Sequence, residues 1–409
     1  METPNIVNTD YPNTGRIQDV ESSCTKPLAG TQNTESPADN QNTEELSDRA
    51  YLKREQARRE LARKSFRRYL YYIHGASWKR TKMSDFLADE VQRFVETKTG
   101  NAYDILVIQT PPQHGKSLTI TESFPSWYLG RFPKHRIIEA SYNDDTAKRF
   151  GRKNIEKVEQ FGRRLFQLEP GSIWTTTEFE LKNGWGRMIS RGIMSGITGN
   201  PANLLVIDDP IKNREEADSE TSREKLWNEW QNTLKSRMAA GAKVIVIATP
   251  WHEDDLMARI LAREPNVTLL RLPIEAEEND LLGRAVGDPL APELGKDAKW
   301  LEQFKAGYLN DPKSGGLRAW QALFQCAPRV EGGNLIRREW WRYYDRKEIP
   351  AFATTVISVD AAFKDSEDND YVAIEVWGKL GNNYYLRYCV NQHLNFPATV
   401  QMIRRKHEY

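Results

Sequence analysis

The stretch YDILVIQTPPQHGKS, residues 103–117, decides the fold that the sequence predicts. Its first half is a short continuous apolar run, which is typical of a buried strand. Its end matches a phosphate-binding loop, in which a glycine is followed by any four residues and then Gly-Lys-Ser/Thr. Thr110 stands where the first glycine belongs, and two prolines follow it. Taken alone, the Gly-Lys-Ser triplet is equally compatible with chance, because lysine after glycine is common at a helix start.

The position of this loop, between a strand and a predicted helix, nevertheless favours a nucleotide site. Backbone N–H groups of such a loop and of the helix start point at phosphates, and glycine lets the backbone approach the anion. Lys116 would contact the β and γ phosphates, and Ser117 would bind Mg²⁺ through its hydroxyl. The expected ligands are therefore a nucleoside triphosphate and Mg²⁺. The residues expected to bind the nucleotide are Thr110, Pro111, Pro112, Gln113, His114, Gly115, Lys116 and Ser117.

Composition limits the class of protein. The chain has 409 residues, of which 39% are hydrophobic and 28% charged, and two or three domains are expected. It contains no apolar run long enough to span a bilayer and no secretory signal pattern at its start. Its cysteines, Cys24, Cys326 and Cys389, fit no metal spacing and are interpreted as reduced thiols of a cytosolic protein. A net charge of +1 still permits a locally basic surface that binds nucleic acid.

Four segments are predicted along the chain. Residues 1–45 are poor in apolar side chains and are expected to be a disordered tail. Residues 46–272 are predicted to form a phosphate-loop ATPase domain with a helical region at its start. The helical region, residues 48–94, carries Arg and Lys on several faces. This basic surface either binds DNA or a partner protein, or is simply a solvated helix face. Residues 273–350 are expected to be a linker or subdomain, and residues 351–409 hold a second strand set with a hairpin turn at GKLGNN.

Buried strands and helices alternate in the second segment. The apolar runs RIIEAS, NLLVIDDP and KVIVIATP follow the first strand and are separated by helix-like stretches. This alternation predicts an α/β fold in which a parallel sheet is covered on both faces.

Polar residues follow two of these strands. Asp208 ends an apolar strand, where a carboxylate can hold Mg²⁺ directly or through water, and the neighbouring Asp209 can orient or activate the attacking water. Thr249 ends another strand at the same edge of the sheet and can sense the γ-phosphate. An Asp-Pro turn and a Thr-Pro turn at strand ends are the plain structural alternatives for these residues.

The motif set resembles the large terminase subunit of tailed bacteriophages, the motor ATPase that packages DNA into procapsids. The resemblance rests, in chain order, on IQTPPQHGKS, SYNDDTAKRFGRKNIE, NLLVIDDPIKNREEA, VIVIATPWHEDDL, WQALFQCAPRVEGG and VISVDAAFKDSEDNDYVAIEVWG. This family's loop commonly lacks the first glycine. The resemblance implies an ASCE-type phosphate-loop domain followed by a ribonuclease-H-like nuclease domain. It also implies that the protein acts in the cytoplasm of the bacterial host and has no membrane partner.

The resemblance implies roles for individual residues. Lys116 and Ser117 would bind triphosphate and Mg²⁺, and Asp208 would be the carboxylate on the metal side. Asp209 would take the place of the catalytic carboxylate, which is Glu in many related ATPases, and Thr249 would belong to the motif that couples hydrolysis to DNA movement. An arginine that stabilises the transferred phosphoryl group, often supplied by a neighbouring subunit of a ring, would be Arg152 or Arg149, with Arg152 preferred. The implied partners are double-stranded DNA, a small terminase subunit, a portal protein and further copies of the chain in a ring.

In the nuclease segment, Asp360 matches the first ligand of a two-metal site for Mg²⁺ or Mn²⁺, which cuts phosphodiesters by stabilising the attacking and leaving oxygens. One of Asp365, Asp368 and Asp370 would assist, or these acids form a solvated loop. The family's other metal carboxylates come later than this sequence extends, so we expect a truncated nuclease domain with weak or no cleavage. The alternatives for the whole chain are a helicase-like DNA ATPase and an inactive prophage remnant that binds DNA or a small subunit.

Overall fold

The strand that runs into the loop at residues 110–117 is one of eight in a single sheet. The computed structural model describes residues 37–197, 199, 201–310, 316–328, 342–345, 351–361, 371–381 and 383–407. The chain forms two units, residues 1–329 and residues 330–409, and the large sheet belongs to the first.

The large sheet has the strand order β3-β4-β5-β2-β6-β7-β1-β8. Its strands are β1 (Tyr103–Gln109), β2 (Arg136–Ser141), β3 (Pro170–Thr175), β4 (Glu178–Leu181), β5 (Arg187–Gly192), β6 (Ala202–Asp208), β7 (Met238–Ala248) and β8 (Val267–Arg271). The pairs from β5 to β8 in this order are parallel, which confirms the predicted α/β fold. The β3–β4 and β4–β5 pairs are antiparallel. This antiparallel edge was not predicted, because its short half-exposed strands have no continuous apolar run.

Helices cover both faces of the sheet. They are α1 (Pro37–Lys64), α2 (Phe66–His74), α3 (Lys82–Glu96), α4 (Lys116–Thr119), α5 (Phe124–Arg131), α6 (Asp144–Lys157), α7 (Arg163–Phe166), α8 (Arg214–Asp218), α9 (Glu220–Glu229) and α10 (Leu256–Arg263). Two further helices, α11 (Ala298–Leu309) and α12 (Gly316–Ala319), follow β8. Along β1, Leu106 and Ile108 join one core and Ile105 and Val107 join the other. Alternate side chains of a strand point to opposite faces, so two apolar faces require two layers of helices.

The helix after the phosphate loop is shorter than the sequence indicates. The fold has only the four-residue α4 directly after Gly115, then a turn, then α5. Pro125 lies in the first turn of α5. Proline is tolerated there because the first amides of a helix have no intrahelical partner, whereas inside a continuous helix it would break the hydrogen-bond pattern.

The segment after β8 has its own small core, formed by Ile274, Leu301, Trp320 and Phe324. This part of the predicted linker, up to residue 328, lies in the first unit. At the other end, α1 begins at Pro37 and therefore overlaps the last residues of the predicted tail. The division into segments 1–45, 46–272, 273–350 and 351–409 stays a prediction.

The second unit contains a three-stranded antiparallel sheet of order β11-β10-β9 and one helix. These elements are β9 (Thr354–Ala361), β10 (Tyr371–Leu380), β11 (Asn383–His393) and α13 (Phe396–His407). The β10–β11 hairpin turns at the GKLGNN sequence, where Gly381 has a φ of 59°. The ribonuclease-H-like assignment and its truncation remain predictions. Within the described part of the chain, no helix has the length and apolar character needed to cross a membrane.

Candidate active site

The predicted phosphate loop, residues 110–117, continues directly from β1 and turns twice through the left-handed region. Gln113 has a φ of 59° and Gly115 a φ of 83°. A side chain at Gly115 would meet nothing within 4 Å, so glycine is favoured there by backbone conformation rather than by lack of space. Turns of this kind can direct successive backbone amides toward one anion.

Lys116 is 6% exposed, and its ammonium group makes two contacts beyond the loop. Nζ donates to Asp209 Oδ1 over 2.5 Å and to Thr249 Oγ1 over 3.1 Å. The Thr249 hydroxyl in turn donates to the Thr110 carbonyl over 3.1 Å, and the Thr249 amide donates to Asp209 Oδ1 over 3.1 Å. These four residues form one hydrogen-bonded group, which we call the lysine cluster.

Strand order brings the lysine cluster together. β7 lies between β1 and β6 and is parallel to both. In the register, Gln109 is opposite Ala248 and Asp208 is opposite Ile247. The residues that follow these three strand ends therefore meet at the carboxyl edge of the sheet, where ligands bind in open α/β folds.

Asp208 is almost fully buried beside this cluster. Thr121 donates its hydroxyl to Asp208 Oδ2 over 2.6 Å, while Oδ1 has no partner among the described residues. Burial raises the pKa of Asp208 to about 6, with the charge of Asp209 acting in the same direction, and Lys116 and the hydroxyls of Thr121 and Ser117 act against it. An unpartnered buried carboxylate oxygen next to a serine hydroxyl fits Mg²⁺, which keeps several waters and takes only one or two protein oxygens.

Asp209 differs from its neighbour in both exposure and backbone conformation. Its side chain is 37% exposed, and its φ of 43° lies in the left-handed region that non-glycine residues rarely adopt. The Asp209 amide donates to the Ile247 carbonyl over 3.0 Å, which holds this turn against β7. Such strained residues cluster at functional sites, and here the turn directs the carboxylate toward Lys116.

Both candidate arginines lie on α6 and are exposed, and no described contact links them to the lysine cluster. The Arg149 guanidinium lies over the Phe150 ring at 5.1 Å. Arg152 Nε is 3.9 Å from Glu156 Oε1. Their side chains are therefore on an open surface, and the choice between them stays a prediction.

Asp360 is the next-to-last residue of β9 and is exposed, opposite Ala373 of β10. Asp365, Asp368 and Asp370 lie outside the described residues. No group of three or more His, Cys, Asp or Glu side chains suited to a metal ion occurs in the part of the chain that the structure describes.

Two residues of the site were not predicted from the sequence. Thr121 follows the loop by a few residues and holds Asp208, but the sequence around it has no motif that marks this role. Lys296 donates to the Gln113 carbonyl from a position 183 residues away in the chain, and no local pattern predicts such a contact.

Comparisons with known proteins identify the relatives of this chain. A family model described as the N-terminal part of the T4-like-virus type terminase large subunit matches residues 107–342. The large terminase of bacteriophage HK97 is a similar solved structure, with a TM-score of 0.40 and 13% sequence identity over 71% of this chain and 59% of that one. The chain thus spans less than two thirds of that relative's length.

The large terminase of a thermophilic bacteriophage is also similar. Its complex with ATP-γ-S gives a TM-score of 0.33 and 14% identity, over 75% of this chain and 68% of that one. Its complex with ADP gives a TM-score of 0.36 and 11% identity, over 75% of this chain and 69% of that one. No curated protein matches the chain significantly in sequence.

Proposed function

This chain belongs to the family of terminase large subunits, and from that premise we propose that it hydrolyses ATP to drive double-stranded DNA into a procapsid. The observation that supports this most strongly is the lysine cluster, in which the loop lysine, a strand-end aspartate and a strand-end threonine are hydrogen-bonded at one edge of the sheet. In phosphoryl transfer, catalysis consists almost entirely of positioning and electrostatic stabilisation, and these residue types supply both.

The contacts of Lys116 suggest how the cluster works. Its ammonium group donates to Asp209, and the oxygens of a bound triphosphate would compete with this carboxylate for it. Once Lys116 contacts the phosphates, the partly exposed Asp209 carboxylate is free to orient the attacking water and accept its proton. Ser117 and Asp208 would hold Mg²⁺, which neutralises charge on the phosphate oxygens.

Thr249 links this chemistry to the rest of the sheet. Its hydroxyl lies between the Lys116 ammonium and the Thr110 carbonyl, so a displacement of Lys116 also changes a contact of the residue that directly follows β7. In the proposed motor, this threonine passes the state of the nucleotide to the DNA-moving parts, and Arg152 or Arg149 of a neighbouring copy stabilises the phosphoryl group in a ring.

The proposed partners are double-stranded DNA, a portal protein and a small terminase subunit, all in the cytoplasm of the bacterial host. DNA would be gripped mainly through its phosphates, with strong salt dependence and little sequence readout. A second proposed activity is metal-dependent DNA cleavage in which Asp360 is the first ligand of a Mg²⁺ or Mn²⁺ pair.

Mg²⁺-dependent ATP hydrolysis by the purified chain, measured beside Lys116→Ala, tests the proposal. Turnover that is lost in the variant supports the phosphate loop, and stimulation by double-stranded DNA supports the motor. Unwinding of a forked duplex would instead favour a helicase-like ATPase. If the folded wild type shows no turnover, alone or with portal added, the ATPase proposal is wrong.

A further inference from the structure

Lys296 contacts the phosphate loop from the segment that follows β8. Its Nζ donates to the Gln113 carbonyl over 2.6 Å. Gln113 is the loop residue that adopts the left-handed conformation without being glycine, at a φ of 59°. A non-glycine residue there is strained and persists only where surrounding contacts hold it. The hydrogen bond from the Lys296 ammonium group is such a contact, because it fixes the orientation of the Gln113 carbonyl.

The backbone of Lys296 is itself held on both sides. Gly295 precedes it in the left-handed conformation, with a φ of 80°, at the end of a 3-10 turn. Asp297 follows it and caps α11, accepting the Trp300 amide over 2.9 Å. The Lys296 ammonium also lies 5.3 Å from the centre of the Trp300 ring. The side chain therefore projects from a rigid corner and not from a loose loop.

A buried ion pair anchors the rest of this segment. Arg284 and Asp280 pair over 2.6 Å with side chains that are 5% and 1% exposed. The Arg284 guanidinium also donates to the Pro273 carbonyl over 2.9 Å and to the Asp288 carbonyl over 3.2 Å. A planar guanidinium that binds a carboxylate and several carbonyls orders the backbone around it.

His114 provides a second observation at the same place. It is 2% exposed, its Nδ1 lies 2.7 Å from the Pro112 carbonyl, and its Nε2 has no partner among the described residues. Burial lowers the pKa of His114 to about 4, and the nearby charge of Lys296 acts in the same direction. His114 is therefore neutral at pH 7, and the positive charge near the Gln113 carbonyl comes from Lys296 and not from this histidine.

We propose that Lys296 is a positioning residue for nucleotide binding, which holds the left-handed turn at Gln113 so that the phosphate loop keeps the shape that receives the phosphates. This rests on the proposed ATPase function. Lys296 also connects the proposed nucleotide site to the small core that contains Ile274. The next residue, Asp297, caps α11, and α11 contributes Leu301 to that core.

The test compares Lys296→Met, which keeps the alkyl stem over Trp300, with Lys296→Arg, which keeps the charge and a donor. Lys299→Met is the matched control, since Lys299 is exposed at the start of the same helix. For Lys296→Met, KM for MgATP and Kd for ADP are expected to rise about three- to tenfold, the scale of the net contribution of one typical hydrogen bond. We expect kcat to change much less, Lys296→Arg to recover most of the binding, and Lys299→Met to match the wild type.

A double variant separates loop positioning from a general loss of stability. Glycine adopts a positive φ without strain, so the penalty of Lys296→Met is expected to shrink when Gln113→Gly is the reference protein, a coupling that a double-mutant cycle measures. Equal KM and Kd values in the wild type and Lys296→Met, or an undiminished penalty in the Gln113→Gly background, would overturn the role of Lys296. Absence of both nucleotide binding and turnover in the wild type would overturn the ATPase proposal and this role together.

Discussion

Lys116 Nζ lies 2.5 Å from Asp209 Oδ1, so the loop lysine and the proposed catalytic carboxylate form an ion pair. The lysine is buried, whereas the carboxylate is partly exposed. The pair therefore has one member fixed in the loop and one that solvent can reach, and a phosphate that takes the lysine leaves the carboxylate free.

Asp209→Ala is expected to have opposite effects on binding and turnover. Removal of the carboxylate frees Lys116 for the phosphates, so nucleotide binding stays the same or tightens, while kcat falls by about 10²- to 10⁴-fold because the general base is gone. Titration of ADP and steady-state hydrolysis measure the two effects, with Lys116→Ala as the control that loses binding. A loss of ADP affinity in Asp209→Ala as large as that in Lys116→Ala would contradict the competition.

Thr249→Val removes the hydroxyl that lies between Lys116 and the Thr110 carbonyl, so each of these two groups loses one hydrogen bond. We expect turnover to fall about tenfold and the free energy of unfolding to fall by about 1–2 kcal/mol. Thr249→Ser keeps the hydroxyl and should retain most of the activity. Hydrolysis assays and urea denaturation give both values, and equal losses in the two variants would argue against a role for the hydroxyl.

Asp208→Asn is expected to abolish Mg²⁺-dependent turnover yet stabilise the metal-free protein above pH 6. The folded pKa of about 6 lies above that of an unfolded aspartate, so this group stabilises the fold at low pH and loses that contribution as the pH rises through 6. The variant avoids the buried charge, and its free energy of unfolding should exceed that of the wild type by about 1–3 kcal/mol at pH 8.

Urea denaturation in EDTA at pH 4 and pH 8 measures this difference in the free energy of unfolding and its change with pH. The advantage of Asp208→Asn should largely disappear at pH 4, where the wild-type carboxyl is protonated. A variant that is less stable than the wild type at pH 8 would be inconsistent with a buried carboxylate of raised pKa.

Arg152→Ala is expected to lose the part of the ATPase rate that depends on assembly. Its side chain is 58% exposed and paired only loosely with Glu156, so it can reach a neighbouring copy. An arginine that acts across subunits contributes about 10³- to 10⁵-fold in related chemistry, so the loss should be easy to detect. Rate against protein concentration, with Arg149→Ala in parallel, identifies the residue. If neither variant loses the concentration-dependent rate, the assignment to α6 is wrong.

Nicking of plasmid DNA by this polypeptide in Mn²⁺ is expected to require Asp360. Two-metal cleavage needs several carboxylates around paired ions, and the resemblance assigns the first of these positions to Asp360. Agarose-gel assays of nicking compare the wild type with Asp360→Ala. Equal nicking by the two proteins would contradict the assignment.

The sequence by itself determined the parts of this protein that depend on local pattern. Continuous apolar runs identified β1, β2, β6 and the buried half of β7, because strands that are covered on both faces need apolar side chains at most positions. The Gly-Lys-Ser triplet predicted a phosphate-binding loop at the end of β1, because phosphate binding requires particular residues at fixed spacing.

The tertiary structure alone decided which distant residues meet. That Lys116, Asp209 and Thr249 touch follows from the place of β7 between β1 and β6, and strand order is not encoded in any local run. The antiparallel edge was not predicted because its half-exposed strands have no continuous apolar run. The break between α4 and α5 was missed although Pro125 marks it in the sequence. Lys296 reaches Gln113 only because a segment far along the chain folds back onto the loop, and such a contact exists only once the core has formed.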